Sequence, residues 1–508
     1  MLAFPRFSSE QIKQLFVFSA SRSCPLLIVY FRPAGSLMSL MTTMMRRAPA
    51  NADAVDSTPK HLGWVMLTAL GIGATIGAGI FAMPGMIARK AGPAGILSFL
   101  LTGVIIMAVA VCYEKFSRAV PKGVSAYSYV YHSIGELFAW VVAFGLFMEY
   151  SFGSSAVAIA WGEYLKRATG FSLPQVLSGP SVVDGVHHFG VNVVAMAVIA
   201  VVTVILIFGG VSKSAKLNFF LVILKMVLLV MFLIAGIKHI NPANWADFMP
   251  KGFNGVLQGA ALAVFPYVGF DALYTFARES KSMRDTRLAT CWCVGLVVFL
   301  YVAVMAVATG LAPCFINGQE NSLFVGSEAA APLANLLAAA GETWTGQFIA
   351  IGAVLGIFNV LLVLCMGGPR IFRNMAEDGL LPPVFAKTNK GNPTLGILIN
   401  GILVAITAGF VPFGDIADMM VLGTLVAFVF VCIGALRLKL VNPALALFGA
   451  IGCAILASKL SPLVLIVYSI TCPVGLIIYF MYGIKNSNLA KGKASAEPAL
   501  AATVEQAS

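Results

Sequence analysis

Runs of about twenty apolar residues follow one another along nearly the whole chain, and little else could constrain its fold as strongly. About twenty residues of helix are needed to cross ~30 Å of hydrocarbon. Inside that layer every backbone N–H and C=O must find a partner within its own segment or a closed barrel. Twelve such runs stand at 63–88, 95–118, 136–163, 190–209, 216–237, 255–277, 289–311, 345–368, 394–412, 416–437, 443–459 and 463–483. With 59% hydrophobic and 11% charged residues and a mean hydropathy of +0.91, a water-soluble domain is excluded. The expected fold is an all-α membrane protein of about 12 transmembrane helices, with the lipid bilayer as its solvent.

The few charges set the orientation. Alternate loops hold 15 Lys and Arg (at 115, 118, 122, 213, 216, 278, 281, 284, 287, 370, 373, 387, 390, 437 and 439), against 7 in the other set (89, 90, 166, 167, 238, 251 and 459). The richer set is expected on the cytoplasmic side. That places both termini inside, in an integral multi-pass protein of the plasma (inner) membrane. The net charge of +12 is spread over short loops rather than clustered, so nucleic acid is not an expected partner. Most cysteines lie within spans and read as small core residues, and no metal or cofactor is expected. There is no phosphate-binding glycine loop and no His-Glu-x-x-His, and the five histidines (61, 132, 187, 188 and 239) sit in loops or at span ends. An ATP-driven pump and a membrane-embedded enzyme are both disfavoured.

Two of the spans are interrupted, at matching places in the two halves. The first reads Gly71-Ile-Gly73-Ala-Thr75-Ile-Gly77-Ala-Gly79-Ile-Phe81 and the second Phe265-Pro266-Tyr-Val-Gly269-Phe-Asp271. Breakers that unwind a helix in lipid leave bare backbone groups, which survive beside a ligand or a polar cavity, and paired interruptions are the best sequence pointer to a transporter's binding site. A half-helix starting near Gly77 offers free N–H groups and a positive dipole end to a carboxylate. The carbonyls around Gly73 to Thr75 suit an ammonium. One break therefore presents both halves of an amino acid zwitterion. Close packing through small residues is the competing explanation of the glycines. Pro266 frees a carbonyl one turn earlier, and Phe265 and Tyr267 flank that gap. For a single aromatic, a core role is the commoner one.

Lys225 lies deep in the fifth span, about nine residues or ~14 Å from its start. An ammonium there is costly, so Lys225 is the candidate for a group that binds and releases a proton during a cycle. Glu149 in the third span and Asp271 beyond the second break are its possible counter-ions, further proton carriers, or acids for a cationic substrate. Glu114 and Glu163 lie nearer span ends.

The organisation expected is an extension over 1–58, read as disordered or as a mis-assigned start, and a first five-helix repeat over 60–240. A second repeat over 255–440 follows, then two additional helices over 443–483 and a disordered cytoplasmic tail over 484–508. A repeat with an odd number of spans must be inverted relative to its copy. The segment 367–382 reads as a helix end, an amphipathic cytoplasmic stretch and a Gly/Pro stop.

Three of these motifs carry a resemblance. Gly-Ala-Thr-Ile-Gly-Ala-Gly-Ile-Phe (73–81) resembles the first-span signature of the amino acid–polyamine–organocation superfamily, and Phe-Pro-Tyr-Val-Gly-Phe-Asp (265–271) is similar to its sixth-span break. Gly-Pro-Arg-Ile-Phe-Arg-Asn-Met-Ala-Glu-Asp-Gly-Leu-Leu-Pro (368–382) resembles the cytoplasmic motif of its cationic amino acid transporter branch. The similarity runs over residues 60–483. It implies a 5+5 inverted-repeat core with alternating access and a midplane amino acid site, without cofactors. It implies further that a substrate carboxylate meets the backbone at Gly77, Ala78 and Gly79, and an amino group the carbonyls of Thr75, Phe265 and Val268. Lys225 matches a fifth-span lysine of proton-coupled members. Three positions depart from the family pattern: Ala78 replaces the commoner Ser or Thr, Pro266 a smaller residue, and the loop after Arg437 lacks the usual Arg/Pro-rich continuation. The implied function is proton-coupled secondary transport of amino acids, with exchange, polyamine carriage or amino acid sensing as alternatives.

Overall fold

The computed structural model describes residues 44–47, 60–120, 125–171, 173–183, 186–209, 215–324, 331–389 and 392–491. Most of the expected extension over 1–58 and the tail beyond 491 lie outside these residues.

All twelve expected runs are apolar helices. The first is two helices, α1 (Trp64–Thr75) and α2 (Gly79–Ala91). Then follow α3 (Gly95–Ala119), a short α4 (Ala126–Ser133), α5 (Glu136–Thr169), α6 (Val193–Phe208) and α7 (Ala215–Ile237). The second half opens with α8 (Gly252–Tyr267) and the single turn α9 (Ala272–Thr275). It continues with α10 (Met283–Leu311), a short α11 (Pro332–Ala339), α12 (Thr343–Glu377), α13 (Thr394–Phe410) and α14 (Phe413–Arg437). The last two are α15 (Pro443–Ala457) and α16 (Pro462–Ile478). Two small hairpins stand between helices: β1 (Ser181–Val183) with β2 (Val186–His188), and β3 (Phe315–Ile316) with β4 (Gln319–Glu320).

Four of the five spans of the first half pack against their counterparts in the second. The halves of the first span lie on those of the sixth (α2 on α8, α1 on α9), the second on the seventh (α3 on α10), the third on the eighth (α5 on α12), and the fourth on the ninth (α6 on α13). Small residues permit the approach. A Cβ at Gly259 of α8 would stand 2.6 Å from Ser98 Oγ on α3. In its place the Ser98 hydroxyl donates to Val256 O (2.9 Å) and Thr102 to Ala260 O (2.7 Å). These hydroxyls satisfy polar groups across a helix interface where lipid offers no partner.

The segment 367–382 differs from its expected shape. α12 continues unbroken through Pro369 to Glu377, so the motif is helix end rather than a separate amphipathic stretch. Gly379, at φ 78°, then turns the chain. Tyr127 on α4 donates to Asp378 Oδ2 (2.5 Å), and Phe147 stacks on Phe372 at 4.1 Å. Beneath this corner Ser487 is buried and Asn488 N donates to Asp378 O (2.9 Å).

At the opposite end, Arg89 Nε donates to Glu320 Oε2 (2.7 Å) and Lys251 Nζ to Glu320 Oε1 (3.2 Å), tying α2 and the start of α8 to the β3–β4 hairpin. Desolvation pushes the Glu320 carboxyl up, but the two cations outweigh it and hold it below the usual carboxylate range. The clasp therefore stabilises the fold at neutral pH and is lost as pH falls through that lowered value. Glu320→Gln should cost about 0.5–1 kcal/mol and flatten the acid side of the thermal-stability profile below about pH 4.3. An unchanged profile in the variant would remove the clasp from this account.

Candidate functional site

The two interruptions pack directly on each other at the centre of the bundle. In the first, Ile76 N bonds back to Ile72 O (2.8 Å) and Gly77 N closes a tight turn on Thr75 O (2.8 Å). Ala78 O then accepts from Phe81 and Ala82 (3.1 Å each) as α2 begins. Ahead of these two, the N–H groups of Gly79 and Ile80 stand at the open end of α2, where a helix offers no acceptor of its own. In the second, Pro266 lies one residue before the end of α8. Val268 N turns back to Phe265 O (3.2 Å), and Gly269 takes φ 105°, where side chains are strained.

The glycines are not equivalent. A Cβ at Gly79 would meet the Pro266 main chain at 2.6 Å, and one at Gly269 would meet Ala74 O at 2.6 Å. These two let the interruptions touch. At Gly77 the nearest atom would be Val360 Cγ1 at 3.6 Å, an ordinary contact, and Gly77 is only half-buried. Packing explains Gly79 and Gly269 and leaves Gly77 unexplained. Ala78, Gly79 and Phe265 are buried, Val268 is half-buried, and Thr75 is buried with its hydroxyl donating to Gly71 O (2.8 Å). The carbonyls of Thr75 and Phe265 already accept from Gly77 and Val268. The Phe265 oxygen retains a second lone pair, whereas Thr75 O also lies 3.2 Å from the Tyr301 hydroxyl.

Lys225 of α7 is buried and donates to the carbonyl of Gly73 at 3.3 Å. Its stem lies against Gly356 of α12, where a Cβ would meet Lys225 Cγ at 2.9 Å. Among the described residues no ion pair within 4.0 Å joins it to Glu149 or Asp271. Those carboxyls form their own neighbourhood. Glu149 bonds Thr424 of α14 and feels the charge of Asp271, which takes backbone N–H groups at the start of α9. Thus the lysine reads the first interruption and the acids flank the second. Glu114 pairs with Arg118 and Glu163 with Lys166.

Tyr301 of α10 was not legible as a site residue. Its buried hydroxyl lies 2.8 Å from Pro266 O and 3.2 Å from Thr75 O, joining the two interruptions. One proton is shared between two carbonyls, so the oxygens are held close without being saturated. Its sequence context, Val297-Val-Phe-Leu-Tyr301-Val-Ala, is that of any apolar span. By contrast Tyr267 turns away, donating to Phe99 O (3.0 Å). Removing the hydroxyl in Tyr301→Phe should cost about 1–3 kcal/mol of apposition between the interruptions. A thermal unfolding shift of several degrees in detergent, with substrate KM raised, is the expected result, and wild-type values for both would refute it.

Broken helices apposed at the middle of a helical bundle, with a lysine against the unwound backbone, define a membrane transporter of the inverted-repeat class. The comparisons make the class particular: residues 62–491 match the family model described as Amino acid permease, and the chain belongs to that family, within the amino acid–polyamine–organocation superfamily. It is 32% identical over 476 residues to the methylthioribose transporter of Bacillus subtilis (89% of this chain, 100% of the relative). It is 32% identical over 452 residues to the branched-chain amino acid permease BcaP of the same organism (85% and 95%). Against cationic amino acid transporter 4 of Mus musculus it is 30% identical over 418 residues (79% and 61%).

Proposed function

We propose that this permease is a secondary active transporter that carries α-amino acids by alternating access, coupled to protons through Lys225. The observation that carries the reading is the Lys225–Gly73 contact beside an uncrowded Gly77. The substrate carboxylate takes the N–H groups of Ala78 and Gly79, and that of Gly77 once its turn onto Thr75 O opens. Its ammonium takes the second lone pair of Phe265, the carbonyl of Val268, and the Thr75 oxygen once Gly77 N has left it. A lysine that donates to the Gly73 carbonyl stiffens the unwound segment, and losing a proton weakens that donor role. Glu149 and Asp271 serve as proton carriers at the second interruption. The excess of Lys and Arg in alternate loops supports a reading in which both termini are cytoplasmic and the protein resides in the plasma (inner) membrane.

Exchange of one amino acid for another uses the same site without net proton movement. The methylthioribose transporter among the relatives supplies a second substrate reading, a neutral thio-sugar with no zwitterion. Purified protein in proteoliposomes separates these readings. The test is uptake of labelled leucine, arginine, putrescine and methylthioribose, with and without an inward proton gradient and with and without internal amino acid. Gradient-stimulated uptake of an amino acid supports the proposal. Uptake that needs internal amino acid makes the protein an exchanger, and uptake of methylthioribose or putrescine alone overturns the zwitterion site.

A further inference from the structure

The end of the bundle opposite the β3–β4 hairpin gathers cations from two packed helices with too few acids to balance them. Lys115 and Arg118 close α3, and Arg284 and Arg287 open α10, which packs on it. Arg118 pairs with Glu114, and its Nη2 also donates to Met283 O at 3.0 Å. Helix geometry gives that same carbonyl the N–H of Arg287, one turn on, as its partner. The Arg118 guanidinium therefore sits at the root of the Arg287 side chain, and the two cations repel each other. Arg118 Nε is buried without an acceptor among the described residues. Asp285, on the same turn of α10, is spent elsewhere: Oδ1 accepts from Trp64 N (3.2 Å) and Oδ2 from the Ser282 hydroxyl (2.5 Å). Among the described residues, Lys115, Arg284 and Arg287 have no ion pair within 4.0 Å.

An apolar track continues from these cations along the outer face of α10. Arg284, Arg287, Cys291 and Gly295 are all exposed and share one helix face, at i, i+3, i+7 and i+11. A Cβ at Gly295 would have nothing within 4 Å, so the row ends in a shallow trough, bordered by the exposed Trp292 and Phe299. Trp292 stacks on Trp64 of α1 at 6.4 Å. Indoles at a span end mark the membrane–water boundary, and Arg287 stands about 7.5 Å along the helix axis outside Trp292. Cations just outside the aromatic level and a trough just inside it match the headgroup and one acyl chain of a single lipid. We propose that this corner of α3 and α10 binds one anionic glycerophospholipid, its phosphate on Arg284 and Arg287 beside Arg118 and its acyl chain along Gly295. A zwitterionic lipid brings its own ammonium to the same cations and gains less. The bound lipid braces the helix ends joined here, α1 through Trp64–Asp285 and α3 through Arg118–Met283.

The test is native mass spectrometry of the full-length protein in neutral detergent, titrated with phosphatidylglycerol or phosphatidylcholine. Wild type is expected to retain one phosphatidylglycerol per chain and no phosphatidylcholine. A cation near a lipid headgroup changes binding about fivefold, so Arg284→Gln/Arg287→Gln should bind phosphatidylglycerol about thirtyfold more weakly. Lys387→Gln/Lys439→Gln removes two exposed cations from other loops and should bind as wild type does. Gly295→Trp fills the trough, leaves every cation in place, and should also lose the retained lipid. If the arginine pair variant fails to fold, Gly295→Trp carries the test. Equal retention of the two lipids by wild type, or equal loss in the two double variants, overturns the site. Displacement of the lipid by inorganic phosphate, with Gly295→Trp binding as wild type does, would make the corner a site for a soluble phosphate and overturn the lipid reading.

Discussion

Lys225→Ala should abolish proton-gradient-driven uptake, leaving less than about a tenth of the wild-type initial rate at any external pH. The argument is local. Lys225 Nζ is the side-chain donor on Gly73 O, in the last turn of α1 before the helix unwinds. Removing it leaves a buried carbonyl without that donor, at a cost of about 1–3 kcal/mol, and removes a titratable group held away from both membrane-embedded acids. Gly356 bounds the response to substitution. Because the lysine stem fills the space a Cβ would need there, Lys225→Met keeps the packing, and Lys225→Ala opens a cavity. If proton coupling is the lysine's role, the methionine variant folds with wild-type thermal stability and still exchanges internal for external amino acid, but it no longer responds to the gradient. If the role is structural only, the methionine variant keeps gradient-driven uptake. Arginine retains a donor but cannot release its proton, so Lys225→Arg is expected to behave as the methionine variant does in the gradient assay.

How much of this was legible in sequence depends on whether the information is local. The twelve runs became helices because lipid leaves a spanning backbone little choice. The two interruptions were legible because glycine and proline act on their own backbone. The burial of Lys225 was legible from its depth in the span, but its partner was not. Counting charges pointed to Glu149 or Asp271, whereas the contact is a backbone carbonyl, which carries no letter in the sequence. Tyr301 was missed for a related reason: an aromatic in an apolar span looks like core until its hydroxyl is placed against Thr75 and Pro266. Pro369 misled in the other direction. It sits within a helix that continues to Glu377 because neighbouring packing, including the Phe147–Phe372 stack, tolerates one lost hydrogen bond.

Gly79→Ala should be strongly damaging, and Gly77→Ala, two residues away, should leave the fold intact. The sequence treats the two glycines alike, as members of one run. Their surroundings do not. A methyl at 79 would stand 2.6 Å from Pro266 Cα and 2.9 Å from Phe265 Cδ1, and main-chain atoms cannot swing aside. Relief requires the two interruptions to separate, and that disturbs the Tyr301 bridge at Thr75 and Pro266 as well. Overpacking of a tight core costs about 1–3 kcal/mol, and the lost bridge adds about 1 kcal/mol or more. A marginally stable protein then loses most of its folded population. Gly79→Ala should therefore give little monodisperse protein on size-exclusion chromatography. A methyl at 77 meets only Val360 Cγ1 at 3.6 Å, so Gly77→Ala should purify with wild-type yield and melting temperature. If Gly77 faces the substrate carboxylate, that methyl occupies the space a ligand needs, and amino acid affinity should fall by about tenfold or more. A Gly77→Ala variant with full affinity would move the carboxylate away from the first interruption. A Gly79→Ala variant with wild-type stability would mean that the interruptions do not pack as described.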